Sequence, residues 1–400
     1  MTIRQFRNDV ETPAADWRDG KRYLWLMGLL VPILPFIAWG LVEATGSGIG
    51  WFFGPLFIFG FIPIADLIAG MDRTNPPDEA LERLENDKYY RWVTYAFLPL
   101  QYAGLVFAAY AWSSFDMGVV EKIGLAMTVG CVAGIGINTA HELGHKKEQN
   151  ERWLARVALA QSFYGHFFIE HNRGHHVRVA TPDDPASARL GETVYGFYPR
   201  TVWGSLSSSW RLEKNRLARR KQTHWSWRND VLSAWAMSIV LWGGLMVAFG
   251  PGIWPYLVIQ AVLGIGLLES VNYLEHYGMR RQRTDKGRWE RVDPSHSWNS
   301  NNLATNVLLY HLQRHSDHHA HPVRRYQTLR DFKEAPVLPT GYAGMIVLAM
   351  FPPLWRKVMD PKVLAHFDGD ATRANVHTRG TRRLAKRYGI PEVPAGERAA

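Results

Sequence analysis

One cysteine in 400 residues, Cys131, removes whole classes of chemistry at the outset. A single thiol forms no internal disulfide and cannot alone build a cysteine-ligated zinc or iron-sulfur centre, so any electron carrier of that kind has to be another protein. The chain also lacks any RNA- or DNA-binding motif to accompany its net charge of +10. That excess is therefore read as a basic cytosolic membrane face rather than a nucleic-acid interface. No internal repeat is visible. A uniformly apolar composition is missing too: the mean hydropathy of -0.19 and the 20% of charged residues would suit an ordinary soluble protein. The average conceals a segregated chain. Its 17 Trp, 16 Tyr and 18 Phe make it aromatic-rich, as expected where amphipathic rings sit at two membrane interfaces.

The apolar residues gather in six runs, each about long enough to cross a bilayer: 23–44, 49–70, 92–112, 119–140, 231–249 and 254–273. The first is longer than a signal-peptide core and has no small-residue cleavage site; Pro32 and Pro35 should kink it. Asp66 near the end of the second is an unusual charge at such depth, and either a function or a helix cap accounts for it. An amphipathic stretch at 79–90, a moderately apolar helix around 154–168 and the short run 341–355, broken by Pro352 and Pro353, are expected on or against the surface. Lys and Arg are scarce in the loops after the first, third and fifth runs, whereas Arg4, Arg7, Arg18, Lys21 and Arg22 precede the first. The positive-inside rule then places both termini in the cytosol. The expected architecture is all-α and polytopic. A cytosolic N-terminal segment (1–22) leads into helices 1–4 (23–141), a cytosolic segment (142–230), helices 5–6 (231–276), a second cytosolic segment (277–367) and a loosely ordered tail (368–400).

Four histidine clusters lie at the cytosolic ends of these runs or in the cytosolic segments. They hold His141 and His145; His171, His175 and His176; His276; and His315, His318 and His319. Positions i and i+4 differ by about 40° around a helix, so His141 and His145 share a face, as do His171 and His175. Nine imidazoles exceed the three or four ligands of one zinc, which implies two metals. Each cluster also supplies a carboxylate, Glu142, Glu170, Glu275 or Asp317, as a candidate to orient the rings. Imidazole by itself does not choose among iron, copper, nickel and zinc. His141-Glu142-x-x-His145 also fits the zinc-protease helix, but that site leaves three clusters unused. A histidine-rich metal carrier would need polar residues through the membrane.

Together with residues 299–303 and 312–322, these clusters resemble the integral-membrane alkane hydroxylases of the histidine-rich membrane desaturase and hydroxylase superfamily. The spacings Hx3H, Hx3HH and Hx2HH alone would leave a fatty-acyl desaturase or hydroxylase open; the stretch from Asn272 to Gly278 points to alkane hydroxylase. The likeness covers 22–364. It implies that the nine histidines hold two irons, with no haem or flavin, while His166, His311 and His321 fall outside the ligand pattern. It further implies hydroxylation of the terminal methyl of an n-alkane with O2, in the inner membrane of a bacterium. The two electrons would come from rubredoxin, reduced by a NADH-dependent reductase. An alkane has no polar handle, so selectivity for its end requires a narrow apolar channel, for which Trp51, Phe52, Phe53, Phe57, Phe59 and Phe61 are candidates. Rubredoxin is expected to dock on some of Arg178, Arg211, Arg216, Arg219, Arg220, Lys221, Arg324 and Arg325.

Overall fold

The apolar runs fold as helices because a bilayer leaves no other partner for their backbone polar groups. The computed structural model describes residues 17–377 and Lys386. Among them, regular structure is helical apart from isolated bridges such as Met71 with Asn302. Five helices are long and apolar enough to cross a membrane: Gly48–Ala69, Lys88–Ser114, Val119–Gly144, Asp230–Phe249 and Pro251–His276. A sixth span forms if the pair Leu24–Leu30 and Leu34–Thr45, bent by 64°, is one crossing. The kink expected at Pro32 and Pro35 falls at that bend, since neither ring nitrogen can donate to a helical ladder.

The Val119–Gly144 helix is the axle of the bundle, and the Pro251–His276 helix packs directly along it. Small residues allow this approach. A Cβ on Gly134 would lie 2.9 Å from the Cβ of Leu267, and one on Gly264 would lie 2.8 Å from that of Ala133. Close packing of this pair brings His141 and His276, which end the two helices, to the same face of the bundle.

The expected helix at 154–168 breaks after Ala160 and resumes at Phe167. Between them Phe163 adopts a left-handed φ of 57°, and Gly165 passes so near Ala234 that a Cβ would lie 2.6 Å from that side chain. Asp66 caps a helix: its carboxylate accepts from the Thr305 amide at 2.9 Å and the Thr305 hydroxyl at 2.5 Å, at the start of the Leu303–Leu308 helix. This ties the second span to the Leu303–Leu308 helix. The 341–355 stretch forms the Tyr342–Ala349 helix and the start of the Pro352–His366 helix, and Trp355 packs on Tyr273 and Tyr277. The tail expected to be loose from 368 is packed as far as 377, where Leu190 donates to the Asn375 carbonyl at 2.6 Å. The rest of that tail, apart from Lys386, lies outside the described residues, as do Arg4 and Arg7.

Candidate metal centre

All nine histidines converge, and they divide into two groups. His141, His145, His171, His176 and His318 form one; His175, His276, His315 and His319 form the other. The division departs from the reading that His171 and His175 share a face. Residues His171–His175 form a π-helical turn, whose i+5 periodicity pairs His171 with His176 and sends His175 to the second group. The Nε2 atoms of His171 and His176 lie 3.0 Å apart. In the His315–Ala320 helix, His315 and His319 face the second group while His318 faces the first.

The inward atom is Nε2 in every close pair. His141 meets His318 at 2.9 Å, His318 meets His176 at 3.1 Å, His315 meets His276 at 3.2 Å, His319 meets His315 at 2.8 Å and His175 meets His319 at 3.3 Å. Two adjacent ligands on a common ion, each about 2.1 Å from it, stand about 3 Å apart. The donor set therefore fits a metal in each group. Hydrogen bonding is a poorer account, because five mutually close imidazoles cannot all find complementary partners. His145 Nε2 is buried with no hydrogen-bond partner among the described residues. Burial drives His171, His176, His315, His318 and His319 well below the usual histidine range, which leaves them neutral and able to ligate.

Three of the four candidate orienting carboxylates have other partners. Glu142 pairs with Lys146 at 2.9 Å and accepts from the Tyr326 amide. Glu170 pairs with Arg178 at 2.6 Å, and burial pushes its carboxyl up to about 7. Asp317 binds His321, Arg324 and the Arg330 amide. Helical geometry turns a residue next to a ligand about 100° away from that ligand, so it reaches the site only where a ring from another helix faces it. Glu275 does reach the site, with Oε2 3.1 Å from His315 Nε2. Sequence reasoning missed Asp184, whose Oδ2 lies 2.9 Å from His175 Nδ1 and accepts from Ser187 Oγ at 2.6 Å. Burial alone would raise the Asp184 carboxyl, but His175 and Ser187 outweigh it and hold the group below the usual carboxylate range. The only local signal was an Asp183-Asp184-Pro185 turn a few residues past His176.

Beneath the histidines lies an apolar cavity lined by Ile58, Ile62, Leu267, Leu268, Val271 and Ile346, with Asn138, Thr305 and Tyr342 as its polar members. None of the six candidate channel residues lines it. Trp51 is buried against Phe115 and Phe61 is half exposed, whereas Ile58, within the Phe57–Phe61 π-turn, and Ile62 face inward. Near the site the chain turns sharply, with Tyr310 and His311 both at φ 53°. Such conformations cost about 1–3 kcal/mol each. They are held by Asn138 Nδ2 donating to the Leu309 carbonyl at 2.8 Å and by His311 Nδ1 on the Tyr326 carbonyl at 2.8 Å.

Comparisons with known proteins agree with this geometry. The model of the fatty acid desaturase family matches residues 122–349, which hold all nine histidines. The alkane 1-monooxygenase of Acinetobacter baylyi is 45% identical over 387 residues, covering 95% of this chain and 94% of that protein. The alkane 1-monooxygenase of Ectopseudomonas oleovorans is 45% identical, covering 96% of each chain. The xylene/toluene monooxygenase hydroxylase component of Pseudomonas putida is 26% identical over 343 residues. This chain is a membrane oxidoreductase that belongs to the fatty acid desaturase family and, within it, to the alkane 1-monooxygenases.

Proposed function

We propose that this chain hydroxylates the terminal methyl of medium- to long-chain n-alkanes at a pair of iron ions held by the nine histidines. One O2, two electrons and two protons are consumed; one oxygen atom enters the alkane C–H bond and the other leaves as water. The observation that carries the reading is the convergence of nine imidazoles in two adjoining groups above an apolar cavity. When bound, the two irons would supply the oxygen activation that no side chain here can perform. The protein supplies aim and dryness: Ile58, Ile62, Leu267, Leu268, Val271 and Ile346 offer no hydrogen bond to water or to a polar chain, so an alkane is held by shape.

Rubredoxin, reduced by a NADH-dependent reductase, is the proposed electron donor. Cys131 is this chain's single cysteine and is buried, so a four-cysteine iron site has to come from a partner. The site is proposed to face the cytosol from the inner membrane, with both termini on that side. Nothing in the site favours the zinc-protease reading, since the salt bridge to Lys146 occupies the Glu142 carboxylate that would have to act as general base. Metal analysis of the purified protein, paired with product analysis from octane, dodecane and hexadecane, tests the proposal. About two irons per chain and 1-alkanols are expected; one zinc per chain with no alkanol would overturn it.

A further inference from the structure

The two histidine groups are not equivalent, and the difference lies in what approaches them. The first holds five imidazoles and the second four. An ion in the second has fewer donors and, with neutral imidazoles alone, no compensating charge in a buried setting. Two kinds of polar group lie near the second group. Asp184 stands behind His175, on Nδ1, where it can only orient the ring, and Ser297 stands 3.5 Å behind His276 in the same way. Glu275 stands in front. Its Oε2 lies 3.1 Å from Nε2 of His315, the atom that also meets His276 and His319 at 3.2 and 2.8 Å. That is the spacing adjacent donors keep around a shared ion, about 3 Å. Behind the ring, His315 Nδ1 has no hydrogen-bond partner among the described residues, so no carboxylate orients it there.

The other Glu275 oxygen is fixed. Oε1 accepts from Tyr342 Oη at 2.9 Å, and Tyr342 is itself locked by its amide donating to Gln313 Oε1 at 2.9 Å. Both Glu275 and Tyr342 are fully buried. Tyr342 also lines the apolar cavity, the space proposed for the alkane, while its hydroxyl holds the carboxylate.

Resting on the proposed di-metal site, we infer that Glu275 is a direct carboxylate ligand of the metal in the four-histidine group, and that Tyr342 is its positioning residue. The two ions then differ chemically, one with five nitrogen donors and the other with four nitrogens and an anionic oxygen. When bound, the ion in the second group would be favoured in a harder, more oxidised form by that carboxylate oxygen. The hydrogen bond from Tyr342 leaves Glu275 one oxygen to offer the metal and keeps it turned toward the histidines rather than the cavity.

The test is Mössbauer spectroscopy and iron content of the full-length protein loaded with 57Fe, for the parent and for Glu275→Gln and Tyr342→Phe. Two distinct iron signals of equal area are expected in the parent. In Glu275→Gln one of them should shift or disappear while the other stays, and its iron should be stripped by a chelator that leaves the remaining iron bound. Tyr342→Phe keeps the ring and the cavity wall; it should disturb the same signal, with affinity for that iron about 10- to 100-fold weaker. Parent-like spectra and chelator resistance in both variants, with two irons retained, would overturn the assignment and leave the di-iron reading intact. Equal loss of both signals in both variants would also overturn it, because it would mark a structural role only. A parent protein without iron would sink the underlying reading as well.

Discussion

At the scale of single residues, ligands and their supports should respond differently to substitution. Replacing any of the nine histidines by Ala removes a nitrogen donor from a closed group, so bound iron should fall and hydroxylation should be abolished. His224, His366 and His377 stand outside both groups, and their Ala variants should keep the parent iron content. Asp184→Asn should behave as an intermediate case: the fold persists, but His175 loses its charged partner, and iron affinity should drop by about 10- to 100-fold, measured by chelator competition. A parent-like affinity would show that Asp184 does not support the site. The convergence of the histidines could be read from sequence because one residue type recurs at helical spacing in four clusters. Their division could not be, because the π-turn at His171–His175 leaves no mark in the residue types. Asp184 escaped for a different reason: it reaches His175 from a loop, where no periodicity says which way a side chain points.

At the scale of elements, the proposed alkane site is the cavity, which none of the six aromatic candidates of the second span lines. Apolar runs locate the spans well, because bilayer thickness fixes their length, but they do not reveal the facing of each side chain. The second span illustrates this. Its Phe57–Phe61 π-turn rotates the helix so that Ile58 and Ile62 line the cavity while Phe61 turns outward. Product profiles should therefore track the cavity lining. Ile346→Trp, which fills the cavity, should shift preference toward the shorter alkanes, and Ile58→Ala, which enlarges it, toward the longer ones. Phe61→Ala should leave the profile alone. Overpacking at 346 should also cost about 1–3 kcal/mol of stability, so a folding check belongs beside the product analysis. If octane, dodecane and hexadecane were converted in parent proportions by both isoleucine variants, the cavity would not be the alkane site.

For the whole molecule, ion pairing within the chain narrows the basic surface on which the proposed electron donor would dock. Of the eight residues expected to dock rubredoxin, four are already engaged within the chain. Arg178 pairs with Glu170, Arg216 with Glu213, Arg324 with Asp317, and Arg325 with Glu148 and Glu151. Their charge is largely compensated where they stand. Arg211, Arg219, Arg220 and Lys221 are exposed and make no ion pair among the described residues. They lie at the C-terminal end of the Val194–Arg219 helix, whose Glu213 pairs at 2.5 Å with Arg173 in the π-turn that carries His171 and His175. This places positive charge on a helix braced against the π-turn that carries His171 and His175. Rubredoxins are generally acidic, and complementary charge acts mainly on the rate of encounter. Reversing Arg219, Arg220 and Lys221 to Glu should slow electron transfer from reduced rubredoxin by about 10-fold or more and flatten its dependence on salt. Turnover driven by a small artificial reductant should not change. The competing role for these residues, contact with anionic lipid head groups, predicts the opposite pattern: weaker membrane insertion or stability, with the salt response of the rubredoxin reaction as in the parent. Reversals at Arg178 or Arg324, by contrast, would break internal pairs beside His175 and His318, and should reduce bound iron before they affect docking.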